Sequence, residues 1–180
     1  MIKKLLVSLL IFFQTLLFSQ EIKKSFSLEQ GLSNYSVQAF FKEVNGVIWV
    51  GTKDGLNKFD GNTFSQYKND PTDKNSISSG TIYKIIQDKD KQLWIAIDGG
   101  GINILNPITG KIKKLFHKTN PYPENTQYAK DVFIDSKGYV WISSWGGLIR
   151  YNPTKNTYRH FLPDNLNPYA ISSFDVKRVV

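Results

Sequence analysis

Cysteine is absent from the sequence, and histidine is limited to His117 and His160. Without thiols there can be no disulfide, no thiolate nucleophile, no Cys-ligated zinc and no lipidated N-terminal cysteine. Each histidine stands beside a phenylalanine at the end of a short aromatic run. They read as two copies of one surface position on outer strands, not as a ligand pair. No Ser-His-Asp spacing, phosphate-binding loop or metal-ligand motif occurs, nor any phosphoacceptor or ATP-binding motif of a kinase. No catalytic residue, metal or cofactor is therefore expected. Like charges never run five in a row: 23 Lys and Arg are scattered among 15 Asp and Glu, for a net +8. A scattered excess makes a solvated surface, and no nucleic-acid partner is expected.

Also missing is an apolar run long enough to span a bilayer. Leu5 to Phe18 is apolar except for Ser8, Gln14 and Thr15, whereas a hydrocarbon core of roughly 30 Å needs about 20 residues of helix. The run follows the basic start Met1-Ile2-Lys3-Lys4 and ends in the small, polar Ser19-Gln20. That is the pattern of a signal peptide over residues 1–20, cleaved after Ser19 or Gln20, the alternative being an uncleaved membrane anchor, and either way the remainder lies outside the cytoplasm.

What is present is a repeat. Trp49, Trp94 and Trp141 are spaced 45 and 47 residues apart, and the sequence aligns around each. Twelve positions earlier stand Val37, Ile82 and Ala129. Six earlier stands an acid each time, Glu43, Asp88 or Asp135, and three earlier Gly46, Lys91 or Gly138. After each Trp comes a Gly-containing turn: Lys53-Asp54-Gly55, Asp98-Gly99-Gly100-Gly101 or Trp145-Gly146-Gly147. Each unit closes on a short aromatic run, Phe64 to Tyr67, Ile112 to Phe116 or Tyr158 to Phe161.

Every unit therefore reads as four short strands rich in β-branched and aromatic residues, bounded by turn residues. The acid opens a type I turn that closes on a left-handed residue, free for Gly46 and Gly138 and strained for Lys91. Four strands in a period of 40 to 50 residues describe a propeller blade. The expected fold class is all-β, a β-propeller of four-stranded antiparallel blades, about three blades present and the ring incomplete. The expected division is 21–34 as an N-terminal strand closing the last blade, 35–69 as blade 1, 70–117 as blade 2, 118–162 as blade 3 and 163–180 as the start of blade 4, with Val176 to Val180 inside its first strand. The three repeated tryptophans should fill the wedges between blades, and Glu43, Asp88, Asp135, Gly46 and Gly138 should serve their turns.

These residues resemble the two-component regulator propeller repeat. The likeness rests on Asp135 to Gly138, on Trp49-Val50-Gly51-Thr52 and on Gly146-Gly147-Leu148-Ile149-Arg150-Tyr151-Asn152-Pro153, and it extends over about residues 26 to 180. Ala96 and Ser143 depart from it by replacing the Gly of Gly-Thr, as do Lys91 in the turn and the extra Gly of unit two. The resemblance implies the periplasmic sensor part of a membrane-anchored histidine kinase, commonly one that senses oligosaccharides. Further blades and signalling domains would follow in the same chain, and the parent would be a homodimer. The D-x-x-G-x-x-W spacing is also similar to the structural Asp-box turn of sialidases.

In four-stranded antiparallel blades, the connections between blades and the second-to-third-strand turns emerge on one face. That face should carry Asp70 to Gly80, Lys118 to Gln127, Lys53, Asp54, Asp98 and Trp145. Trp145 breaks the repeat. Its expected role is a stacking platform for a sugar ring, helped by Tyr122 or Tyr128, or else a packed residue under the neighbouring loop. Competing readings are a secreted propeller enzyme or scaffold, and the sensor of a regulator that has no kinase.

Overall fold

The computed structural model describes residues 27–116 and 123–179. The expected signal peptide, His117 and Tyr122 lie outside them. The described residues hold three four-stranded antiparallel sheets, each in simple sequential order. The first contains β1 (Val37–Lys42), β2 (Ile48–Thr52), β3 (Gly55–Phe59) and β4 (Phe64–Tyr67). The second contains β5 (Ile82–Gln87), β6 (Leu93–Ile97), β7 (Gly101–Leu105) and β8 (Ile112–Leu115). The third contains β9 (Ala129–Ile134), β10 (Val140–Ser144), β11 (Gly147–Asn152) and β12 (Thr157–Phe161). Successive sheets touch through their first two strands, β1 and β2 against β5, then β5 and β6 against β9. These are propeller blades with the first strand innermost, and the three blades leave the ring open.

The alternation of side chains along a strand explains why the middle blade is buried on both faces. All five residues of β6 are buried. Leu93, Ile95 and Ile97 pack with Trp49, Leu56, Ile77, Ile82 and Leu105 at the seam with the first blade. Trp94 and Ala96 point the other way, into a cluster with Ala129, Val132, Val140, Ile142 and Tyr151 of the third blade. Successive residues face opposite sides, so a strand covered on both sides must be apolar throughout. Trp49 is 0% exposed and Trp94 is 3% exposed, while Trp141, with no described sheet beside it, is partly exposed.

The repeated acid does more than open a turn. Trp49 Nε1 donates to Glu43 Oε1 at 2.6 Å, Trp94 Nε1 to Asp88 Oδ2 at 2.8 Å and Trp141 Nε1 to Asp135 Oδ2 at 2.9 Å. The acid thus satisfies the one polar atom of an otherwise apolar wedge. The turn residue three before each Trp has positive φ, 94° at Gly46, 63° at Lys91 and 79° at Gly138.

Three segments depart from expectation. Asp70 to Gly80 does not simply cover the face where the second-to-third-strand turns lie. Ile77 is 1% exposed in the seam between the first two blades. Asn75 donates to Gly110 O at 3.1 Å and accepts from Ile112 N–H at 2.8 Å, at the opposite end of the second blade. The long connection therefore dips into the seam. Neighbouring asparagine side chains stand in for its missing strand partners: Ser78 N–H donates to Asn103 Oδ1 at 2.8 Å, and Asn69 Nδ2 donates to Ile77 O at 2.8 Å. At the start of the described residues, Leu28–Gln30 forms a turn of 3-10 helix and not an extended strand. Ser27 and Gln30 close a capping box on it, which competes with strand geometry. Val176 to Val179 carry no strand ladder either. Val176 N–H donates to Ser144 O at 3.2 Å and Val179 N–H to Asp131 Oδ2 at 3.1 Å, against the third blade.

No helix among the described residues is long and apolar enough to cross a membrane.

Candidate functional site

The turns between second and third strands all lie at one end of the blades. In each blade the first turn residue donates its N–H to the segment leading into the innermost strand: Lys53 to Ser36 O at 3.2 Å, Asp98 to Thr81 O at 2.9 Å and Trp145 to Tyr128 O at 3.4 Å. Trp145 thus occupies the position of Lys53 and Asp98, and Tyr128 that of Ser36 and Thr81.

The turn that carries Trp145 is tightly held. Ser144 Oγ accepts from Gly146 N–H at 3.2 Å and donates to Gly147 O at 2.9 Å. Thr52 holds the first blade's turn in the same way, donating to Gly55 O and accepting from Asp54 N–H. Ile97 has no hydroxyl with which to do this, and the second blade's turn is one residue longer. In the third blade His160 Nε2 adds a bond to Gly146 O at 2.5 Å. The carbonyl can only accept, so this nitrogen carries the proton. Gly147 itself has φ 105°, and a Cβ there would stand 2.6 Å from Phe161 O.

On this turn Trp145 stacks against Tyr128, with ring centroids 5.2 Å apart and an interplanar angle of 29°. Lys130 Nζ lies 5.0 Å from the Trp145 centroid and 2.5 Å from Asp175 Oδ1. Half of the Trp145 surface, 50%, nonetheless remains exposed. The second blade's turn comes near: a Cβ built on Gly99 would stand 3.9 Å from Tyr128 Cε1. Trp145, Tyr128 and the Asp98-Gly99 turn therefore gather at the seam between second and third blades. Lys53 and Asp54 belong to the first blade's turn, where Asp54 pairs with Lys68 at 2.8 Å. Tyr122 is outside the described residues.

Lys130 went unrecognised in the sequence. It follows Tyr128 by two residues, but its placement over Trp145 depends on a shift of strand register that no local pattern announces. Among the described residues, no three His, Asp or Glu side chains are grouped to hold a metal. The arrangement can bind: it offers a flat, half-exposed aromatic surface on a rigid turn, with an ammonium at its side.

Residues 76–99 match the family described as the two component regulator propeller. A stretch of 60 residues, 33% of this chain, is 52% identical to Histidine kinase P4 of Formosa agariphila, of which it covers 4%. Among solved structures, the extracellular domain of a putative hybrid two component system from B. thetaiotaomicron superposes with a TM-score of 0.74 at 22% identity, over 86% of this chain and 22% of that one. Virginiamycin B lyase from Staphylococcus aureus superposes with a TM-score of 0.54 at 13% identity, over 72% of this chain and 42% of that one. The chain thus spans a small part of the relatives it matches, and the structural likenesses establish the propeller fold.

Proposed function

We propose that this chain, with a two component regulator propeller repeat at residues 76–99, is the extracytoplasmic ligand-sensing module of a two-component sensor, and that its ligand is an oligosaccharide. The observation that carries the reading is the Tyr128–Trp145 pair. A large aromatic surface is left half exposed on a turn held by Ser144 and His160. Exposing an indole forgoes burial of an apolar area, and a sugar ring presents a matching apolar C–H face that recovers it. The resemblance to a histidine kinase supports a kinase as the output, carried by the same protein beyond these blades. The basic start and short apolar core of residues 1–20 support export to the periplasm. Propeller lyases share the fold, so the fold alone does not choose between binding and catalysis.

The test is a titration of the intact protein with a panel of neutral and acidic oligosaccharides, read by tryptophan fluorescence and calorimetry. Trp145→Ala should weaken binding about tenfold or more, with the thermal midpoint unchanged. A sensor that binds or signals normally without the indole would overturn the platform. Mass spectrometry of the mature N-terminus should find Gln20 or Glu21; an intact Met1 would refute export by cleavage.

A further inference from the structure

The innermost strands share a feature that the repeat does not explain. In β1 the register steps from Val37↔Thr52 to Ala39↔Gly51, leaving Gln38 as an extra residue. In β5 it steps from Ile82↔Ile97 to Lys84↔Ala96, leaving Tyr83. In β9 it steps from Ala129↔Ser144 to Asp131↔Ser143, leaving Lys130. Each is a β-bulge at the same repeat position, eleven residues before the tryptophan, at the end of the blade where the Trp145 turn lies. A bulge gives up regular ladder pairing and re-aims a side chain. Its recurrence in three blades makes it part of the architecture. The position before the bulge stays apolar, as Val37, Ile82 and Ala129 show, yet the bulged residues are an amide, a phenol and an ammonium.

Gln38, Tyr83 and Lys130 line one cavity on the inner side of the blades, together with Lys84, Lys177 and Arg178. Lys177 stands one residue after Val176, as Tyr83 does after Ile82, so it continues the same series. The cavity wall holds four cations and a single carboxylate, Asp131. Asp131 is 5% exposed and lies 3.7 Å from Lys84 Nζ. Lys177 and Arg178 make no ion pair among the described residues. Clustered, partly compensated cations of this kind raise the local potential and favour an anion. Lys130 also reaches over the Trp145 ring, which joins this wall to the aromatic platform.

We propose that the bulged residues Gln38, Tyr83 and Lys130 form one ligand-reading ring at the inner edge of the blades, and that with Lys84, Lys177 and Arg178 it selects an oligosaccharide bearing carboxylate or sulfate groups. This rests on the sensing reading above and names its substrate class. The amide and phenol supply hydrogen bonds to hydroxyls, the cations neutralise the acid groups, and Trp145 stacks on an adjoining sugar ring.

Calorimetric titration of the intact protein tests it, with tetragalacturonate as the carboxylate probe, a carrageenan-derived tetrasaccharide as the sulfate probe and cellotetraose as the neutral one. One acidic probe should bind about tenfold or more above cellotetraose, and its affinity should fall several-fold between about 50 and about 300 mM salt, as charge contacts are screened. The preferred probe identifies the acid group. Tyr83→Ala and Lys130→Gln should each weaken that binding about fivefold or more with an unchanged thermal midpoint; Tyr83 is exposed and Lys130 is half-buried outside the apolar clusters, so these replacements leave the core alone. Equal binding of cellotetraose would overturn the ring and leave the sensing reading standing. So would acidic binding that ignores both ring variants but is lost in Trp145→Ala. If none of the three probes binds, the ring assignment falls, and the sensing reading is decided by the wider panel described above.

Discussion

Asp135 accepts three hydrogen bonds, from Trp141 Nε1 through Oδ2 and from the N–H groups of Lys137 and Tyr139 through Oδ1. These donors favour the charged form, the indole first, and hold the carboxyl below its ordinary value of 3.8. A carboxylate with a depressed folded-state pKa contributes stability that is present above the unfolded value and is lost as pH falls through the folded one. The turn of the third blade should therefore weaken below about pH 4. In Trp141→Phe the leading donor is gone, and an NMR titration should show the Asp135 pKa rising toward the ordinary value. An unmoved titration would mean that the backbone donors alone set it. A second residue is strained by its backbone. Lys91 sits at φ 63° where the other blades have Gly46 and Gly138. A left-handed non-glycine residue costs roughly 1–2 kcal/mol, part of which glycine returns as unfolded-state entropy. Lys91→Gly should stabilise by about 0.5–1 kcal/mol, read as a raised denaturation midpoint; a lowered midpoint would show that the lysine contributes more through its side chain than its backbone strain costs.

Between elements, the departures of Ala96 and Ser143 from the repeat have a packing context. A Cβ on Gly51 would stand 2.4 Å from Ile82 Cγ2, so the large residue on β5 requires glycine on β2. One blade on, the corresponding residues are Ala96 and Ala129, and both are 0% exposed in the same cluster. Volume has moved from one side of the seam to the other. Gly51→Ala should then cost about 1–3 kcal/mol by overpacking, and Ile82→Ala about 2–5 kcal/mol by emptying a buried site. Together they recreate the alanine pair of the next seam, and the double variant should be clearly less destabilised than the two losses added. Additive losses by chemical denaturation would refute the exchange. Ser143, at the corresponding position in the third blade, is buried with its hydroxyl unpartnered among the described atoms; nothing in the structure explains its choice over alanine.

Across the molecule, the middle blade is covered on both faces and the outer two on one. Phe40 is 76% and Val44 99% exposed on the first blade, and Trp141 is only partly covered on the third. Uncovered apolar faces and strand edges favour association. Residues 21–180 expressed alone should aggregate or form mixed oligomers in size-exclusion chromatography with light scattering, whereas the intact protein should be monodisperse. A monomer that unfolds cooperatively would show that three blades suffice. What the sequence determined by itself is the local and periodic part. The four strands and the strained turn at Lys91 follow from residues within a few positions of one another, and the blade type and tryptophan positions from the recurrence of that unit at 45 and 47 residues. The tertiary structure alone decided which chemistry those blades bring together. The stack of Tyr128 on Trp145 and the reach of Lys130 join strands that a register shift has realigned. Likewise, Ile77 finds its place in a seam built by strands from two blades. Register and seam packing depend on contacts between segments distant along the chain, and a repeat aligned residue by residue carries no record of them.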